Sequence, residues 1–179
     1  PTFALRVAPD LGWTDRIGRP REVLRTMDSV LAAALDDRGL RRNWILPPQL
    51  EASYARNPTY APDPYALAEE PLRSPAFATG SRLPEPLASQ LRTMIALHEN
   101  ARMVLAPVEM RIERVGTPQT PAQSGAGGTG RATLRVALID PRFSEARWIG
   151  EVKSDTASTL TPAMTASLAR KLVDLIAAP

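Results

Sequence analysis

The chain has 179 residues, 44% of them hydrophobic and 23% charged, with a formal net charge of +3, an ordinary composition for one globular domain with a sizeable core. It contains no Cys and a single His, which excludes disulfides, thiol nucleophiles, thiolate metal sites and multi-histidine metal centres. Of the 22 cations only Lys153 and Lys171 are lysines, and the arginines lie scattered among acids with no run longer than Arg41-Arg42. The basic stripe expected of a nucleic-acid-binding surface is therefore missing.

PTFALRVAPD alternates Phe3, Leu5 and Val7 with Ala4, Arg6 and Ala8, the period of a strand, and Pro9 ends it. A loop containing Trp13 follows. Pro20 suits a first helical position, and Val23, Leu24, Met27, Val30, Leu31, Ala34 and Leu35 keep helical spacing until Gly39 stops the run. NWIL, residues 43–46, has the length and β-propensity of a short buried strand. Pro47 and Pro48 open a short helix that ends before Pro58.

Proline is abundant: 18 residues against roughly 9 at the average usage of about 5%. Seven lie between 58 and 86, which predicts an ordered irregular insertion there rather than a regular layer. A helix is expected from residue 86, with Leu87, Leu91, Met94, Ile95 and His98 along one face. The next strand, ARMVLAPVEMRIERV, is apolar on both faces at its start and alternates at its end. Its Pro107 removes a ladder donor and predicts a bulge or a local edge.

Residues 116–130, rich in Gly, form a flexible hairpin connection by composition. Two strands follow, on either side of Asp140-Pro141. The last helix takes Thr161 as its cap and Pro162 at its first position, and buries Met164, Leu168, Leu172, Leu175 and Ile176. The order β-α-β-α-α-β-β-β-α implies an α+β fold, an α/β sandwich. Its mixed sheet would have about five strands and end in an antiparallel meander, all within one domain spanning 1–179.

No constellation for catalysis, cofactor or metal emerges. His98 sits on an apolar helix face, as a structural histidine would. The glycines of GAGGTGRAT lead into Arg131 and a strand, not into the Lys-Ser or Lys-Thr and helix of a phosphate loop. Glu109, Arg111 and Glu113 read as a solvated ion-pair ladder on one strand. Asp140 stands at the end of an apolar strand. With Glu145 and Arg142 or Arg147 it could serve an enzyme acting on a small anionic substrate, provided that its pKa is raised beside a pocket. Asp-Pro followed by Arg-Phe-Ser-Glu is also ordinary turn chemistry, and on that reading Trp148 is sheet core with room left by Gly150. Trp13, Tyr54, Arg56, Tyr60 and Tyr65 are the candidate protein contacts, since Tyr, Trp and Arg are favoured at interface centres and a Pro-rich loop loses little entropy on docking.

The closing hairpin LRVALIDPRFSEARWIGEV, with Asp140 at one strand's end and Trp148 in the next, followed by an amphipathic helix, resembles the small α/β domains of bacterial envelope proteins. The amino-terminal domain of the Tol-system β-propeller protein and the curli-secretion lipoprotein are examples. The long insertion at 58–86 and the lack of a lipidated Cys depart from them. The resemblance implies a non-enzymatic periplasmic role through protein contacts and transfers no catalytic residue. No apolar run approaches the ~20 residues that span a bilayer. Pro1 in place of an initiator Met has the look of a processed start from which an export signal was removed. The expectation is an accessory or scaffold subunit of a membrane-associated, photosynthetic or secretion-related complex, with other proteins as partners and neither nucleic acid nor cofactor. The alternatives are the Asp140 enzyme and an Arg-based nucleic-acid-binding module.

Overall fold

The computed structural model describes residues 3–98, 101–116, 128–159 and 161–177. Four strands, β1 (Ala4–Val7), β2 (Val104–Arg114), β3 (Gly130–Asp140) and β4 (Glu145–Lys153), form one sheet in the order β1-β2-β3-β4. The helices are α1 (Pro20–Asp37), α2 (Pro47–Arg56), α3 (Leu87–Ala96) and α4 (Pro162–Ala177). The fold is α+β, with four strands rather than about five.

Strand direction follows from the connections. Arg6 meets Glu109 and the Ala8 N–H donates to the Ile112 carbonyl, so residue numbers rise together and β1 is parallel to β2. Such a pairing needs a long crossover, which α1, α2 and α3 supply. A turn of four residues joins β3 to β4, and the Val115 N–H donates to the Thr129 carbonyl at the base of the β2–β3 connection. Both pairs are antiparallel and the sheet is mixed.

The missing strand is residues 43–46. Asn43 ends a 3-10 turn, Arg41–Asn43, and Leu46 is the extended residue that precedes α2, its N–H bound to Gln49 Oε1 at 2.9 Å. Two prolines directly after Leu46 cannot donate to a ladder, and their fixed φ starts a helix instead. Pro107 behaves differently, because β2 runs on through it. With four residues, β1 cannot accompany all eleven of β2, so part of β2 has no β1 partner to which a donor would be owed.

Helix boundaries match the punctuation in the sequence. The Glu22 carboxylate accepts the Arg19 N–H at 2.8 Å ahead of α1. Gly39, at φ +67, lets the Gly39 and Leu40 N–H groups turn back onto the Asp36 and Leu35 carbonyls. On α4, Met164, Leu168 and Leu172 are buried as expected, together with Ala169 and Val173, whereas Leu175 is exposed and Ile176 only half-buried. The buried face turns through Ala169 and Val173, which leaves the last turn outside it.

The chain divides into two compact units: Pro1–Ala4, Arg42–Val108 and Arg135–Gly150 in one, and Leu5–Arg41, Glu109–Leu134 and Glu151–Pro179 in the other. In the first, Leu83, Leu87, Leu91 and Met94 form a core with Leu67, Leu72, Ala106, Val108, Ala137 and Ile139, against which Leu50, Phe77 and Ile149 pack. In the second, α1 packs on α4, Leu24, Met27, Leu31 and Leu35 being buried on the former, and Arg38 pairs with Asp174. Trp13, also in the second unit, is only 2% exposed, and its ring fills the space that a side chain at Gly130 would take. Most of the predicted Gly-rich connection at 116–130, namely residues 117–127, lies outside the described residues.

Candidate functional site

The Pro-rich insertion at 58–86 has one short regular element, a 3-10 turn at Glu70–Arg73, yet hydrogen bonds fix it along its length. Asn57 follows the end of α2, and its carbonyl accepts the Tyr60 and Ala61 N–H groups at 3.0 and 2.8 Å. Asp63 Oδ1 accepts the Tyr65 N–H at 2.8 Å, an Asx turn ahead of Pro64. The Ser74 hydroxyl and carbonyl accept the Ala76 and Phe77 N–H groups. Apolar anchors hold the loop down: Ala61, Leu67 and Leu72 are buried.

Arg135 does the same from the sheet. Its side chain leaves β3 and donates from Nε to the Leu72 carbonyl at 3.2 Å and from Nη2 to the Ser74 and Phe77 carbonyls at 3.4 and 3.0 Å. One planar guanidinium thus satisfies three carbonyls of a segment that has no ladder of its own. Nothing in the sequence singles out Arg135, one of twenty arginines in an alternating strand.

This platform separates the predicted contact residues. Tyr60, at the tip of the first turn, is 76% exposed. Arg56 is exposed as well, with Nε bonded back to the Ala52 carbonyl of its own helix at 3.1 Å. Tyr54 and Tyr65 are half-buried. Trp13 belongs to the other unit and is buried, so it presents no contact surface.

Glu69, next to the acidic Glu70 in the same loop, is buried. It is 4% exposed, and burial pushes its carboxyl up to about 8 although the Arg73 charge works the other way. The apolar residues around it, Leu67 and Leu72, were the only available signal.

His98 makes one side-chain contact of note, 3.3 Å from Nε2 to the Ser53 hydroxyl, and Ser53 is buried within α2. The Ser53 hydroxyl also bonds the Gln49 carbonyl at 3.2 Å. The hydroxyl thus ties the His98 ring to α2.

Asp140 ends β3 at the hairpin corner, as the turn chemistry predicts, but it is 3% exposed. Its carboxylate accepts the Arg142 N–H at 3.1 Å, Nε at 3.0 Å and Nη2 at 2.8 Å, and Arg147 Nη2 stands 3.8 Å away. The Arg142 hydrogen bonds hold its pKa below the ordinary carboxylate value. The enzyme reading requires a raised value, so the environment is opposite in sign to the one it needs.

Two further expectations are modified. Trp148 is half-buried instead of forming the sheet core, although its ring does lie over Gly150, where an added Cβ would come within 2.0 Å of it. The Glu109–Arg111–Glu113 ladder exists, but Glu109 is buried between Arg6 and Arg111, and Arg111 extends the network to Glu151. Among the described residues no group of three His, Cys, Asp or Glu side chains is placed to hold a metal ion, and no helix is long and apolar enough to cross a membrane. In comparisons with known proteins, the chain matches no family model, no curated protein and no solved structure.

Proposed function

We propose that the protein works by holding another protein, as a non-catalytic accessory subunit of a bacterial envelope-associated assembly. The observation that carries this reading is Tyr60: a tyrosine in water on a loop that hydrogen bonds, seven prolines and the Arg135 clamp keep in one conformation. A side chain displayed on a pre-ordered backbone loses little entropy when a partner covers it, and tyrosine combines a large apolar face with a hydroxyl that can still bond at a wet rim. Arg56, exposed at the end of the helix that leads into this turn, supplies a cation beside it.

The envelope setting rests on the likeness of the Asp140–Trp148 hairpin and the following helix to small domains of envelope proteins. A periplasmic location and a photosynthetic or secretion complex fit that setting. The test is copurification of the tagged full chain from native membranes, wild type beside Tyr60→Ala. Recovery of a stoichiometric partner that falls at least tenfold in the variant supports the reading. Recovery of both forms only as free monomer from the soluble fraction counts against it.

A further inference from the structure

The turn between β3 and β4 holds a second aromatic residue in water. Phe143 is 62% exposed, so its ring contributes little burial to the fold. Its surroundings are nevertheless fixed. The guanidinium carbons of Arg142 and Arg147 stand 5.7 and 5.4 Å from the ring centroid, within cation–π reach. Arg142 is itself held by Asp140 through Nε and Nη2. Ser144, the next residue, takes φ +51, a left-handed backbone that side-chain-bearing residues rarely adopt. Arg92 Nη1 donates to the Ser144 hydroxyl at 2.7 Å, the Leu83 N–H donates to its carbonyl at 2.8 Å, and Arg92 Nη2 is tied to Glu85 and Ser89. Strain and bracing together keep an apolar ring in water, where its gain within this chain is limited to the two cation–π contacts.

We infer that Phe143 is an anchor that enters an apolar pocket on a partner protein, and that carboxylates at the rim of that pocket meet Arg142 and Arg147. The two cations decide the chemistry of the rim. Arg142 uses Nε and Nη2 on Asp140, which leaves Nη1 for another acceptor. Arg147 reaches Glu145 and Asp140 only at 3.4 and 3.8 Å, long for charge-assisted bonds, so a well-placed carboxylate competes for its donors. An anionic membrane is the poorer match, because Asp140 and Glu145 cancel Arg142 and Arg147 over any distance longer than a contact. A carboxylate rim reads the individual guanidinium donors and needs no net charge. This surface is distinct from Tyr60 and does not depend on it.

The test uses the full chain in the cells that make it, with Phe143→benzoylphenylalanine as a photo-crosslinker and Leu175→benzoylphenylalanine, at another exposed site, as the control. The expected result is one discrete protein adduct at position 143 and none of that size at 175, reduced at least tenfold by Arg147→Glu and only partly by Arg147→Gln. Thermal melting of each variant verifies that it folds. No adduct from 143, or an adduct indifferent to Arg147→Glu, overturns the proposal. So does Phe143-dependent self-association of the purified chain in sedimentation velocity, or Phe143-dependent binding to phosphatidylglycerol vesicles. Since Tyr60 stays intact throughout, failure here leaves the Tyr60 result unaffected.

Discussion

Arg135 donates its Nε–H to the Leu72 carbonyl at 3.2 Å, tying a residue of β3 to a residue 63 positions earlier in the Pro-rich loop. With the Ser74 and Phe77 carbonyls on the same guanidinium, the contact replaces the ladder that proline denies this segment. Arg135→Ala strands the Leu72 and Phe77 carbonyls, while the Ser74 carbonyl keeps the Phe77 N–H, and should cost about 2–4 kcal/mol, as the loss of bonds to a charged donor usually does. Urea unfolding measures the loss. Amide exchange should locate it at residues 72–77, and Arg135→Lys should recover only part, because an ammonium cannot present the planar fork.

The two tryptophan–glycine contacts predict an ordered pair of effects. An added Cβ would lie 2.0 Å from the Trp148 ring at Gly150 and 2.6 Å from the Trp13 ring at Gly130. Trp148 is half-buried and can swing outward, so Gly150→Ala should cost about 1 kcal/mol and shift its fluorescence toward that of an exposed indole. Trp13 is buried and has no such exit, so Gly130→Ala should cost about 3 kcal/mol, near the upper end for overpacking. Equal losses in the two variants would contradict this account.

Glu69 makes stability depend on pH. Its folded pKa, about 8, lies above the ordinary value of 4.5. Below 4.5 the carboxyl is protonated in both states. Between 4.5 and 8 the unfolded chain releases its proton while the folded one keeps it, so stability falls as pH rises through this window and levels off above it. The loss should be on the order of a few kcal/mol. Glu69→Gln, neutral at every pH, should flatten that part of the curve in denaturation series run from pH 5 to pH 9.

Asp140 acts in the opposite direction. Its folded pKa is lowered, first by the Arg142 hydrogen bonds, so its contribution is complete above the unfolded value of 3.8 and is lost as pH falls through the folded value. Asp140→Asn should lower stability at neutral pH and reduce the acid sensitivity below pH 4. The same variant should loosen the Arg142 guanidinium, visible as exchange broadening of its Nε–H in NMR spectra.

Much of the fold is legible from residue order, because local rules act there without competition. Pro20, Pro47 and Pro162 begin helices where a missing N–H has no cost, and Gly39 ends one where φ must be positive. The alternation of β3 and β4, interrupted by Asp140-Pro141, marks the hairpin. Residues 43–46 show where local rules conflict: β-propensity favoured a strand, and the two prolines that follow decided against it. In the candidate site, Tyr60 and Arg56 are exposed as a Pro-rich contact loop would require, whereas Trp13, chosen by residue type alone, is core.

The sequence by itself determined the element types, the mixed α+β class and the absence of thiol and multi-histidine chemistry, since each follows from residue identity or short-range spacing. Only the tertiary structure decided which arginine clamps the loop, that Glu69 is buried and Asp140 ion-paired, and that Phe143 rather than Trp148 stands exposed at the hairpin. The loop clamp is made by groups 63 positions apart, Arg135 and Leu72, and even the close Asp140–Arg142 pair depends on a burial that the sheet, and not the turn residues, supplies. Short-range spacing carries no record of how deeply such groups are buried.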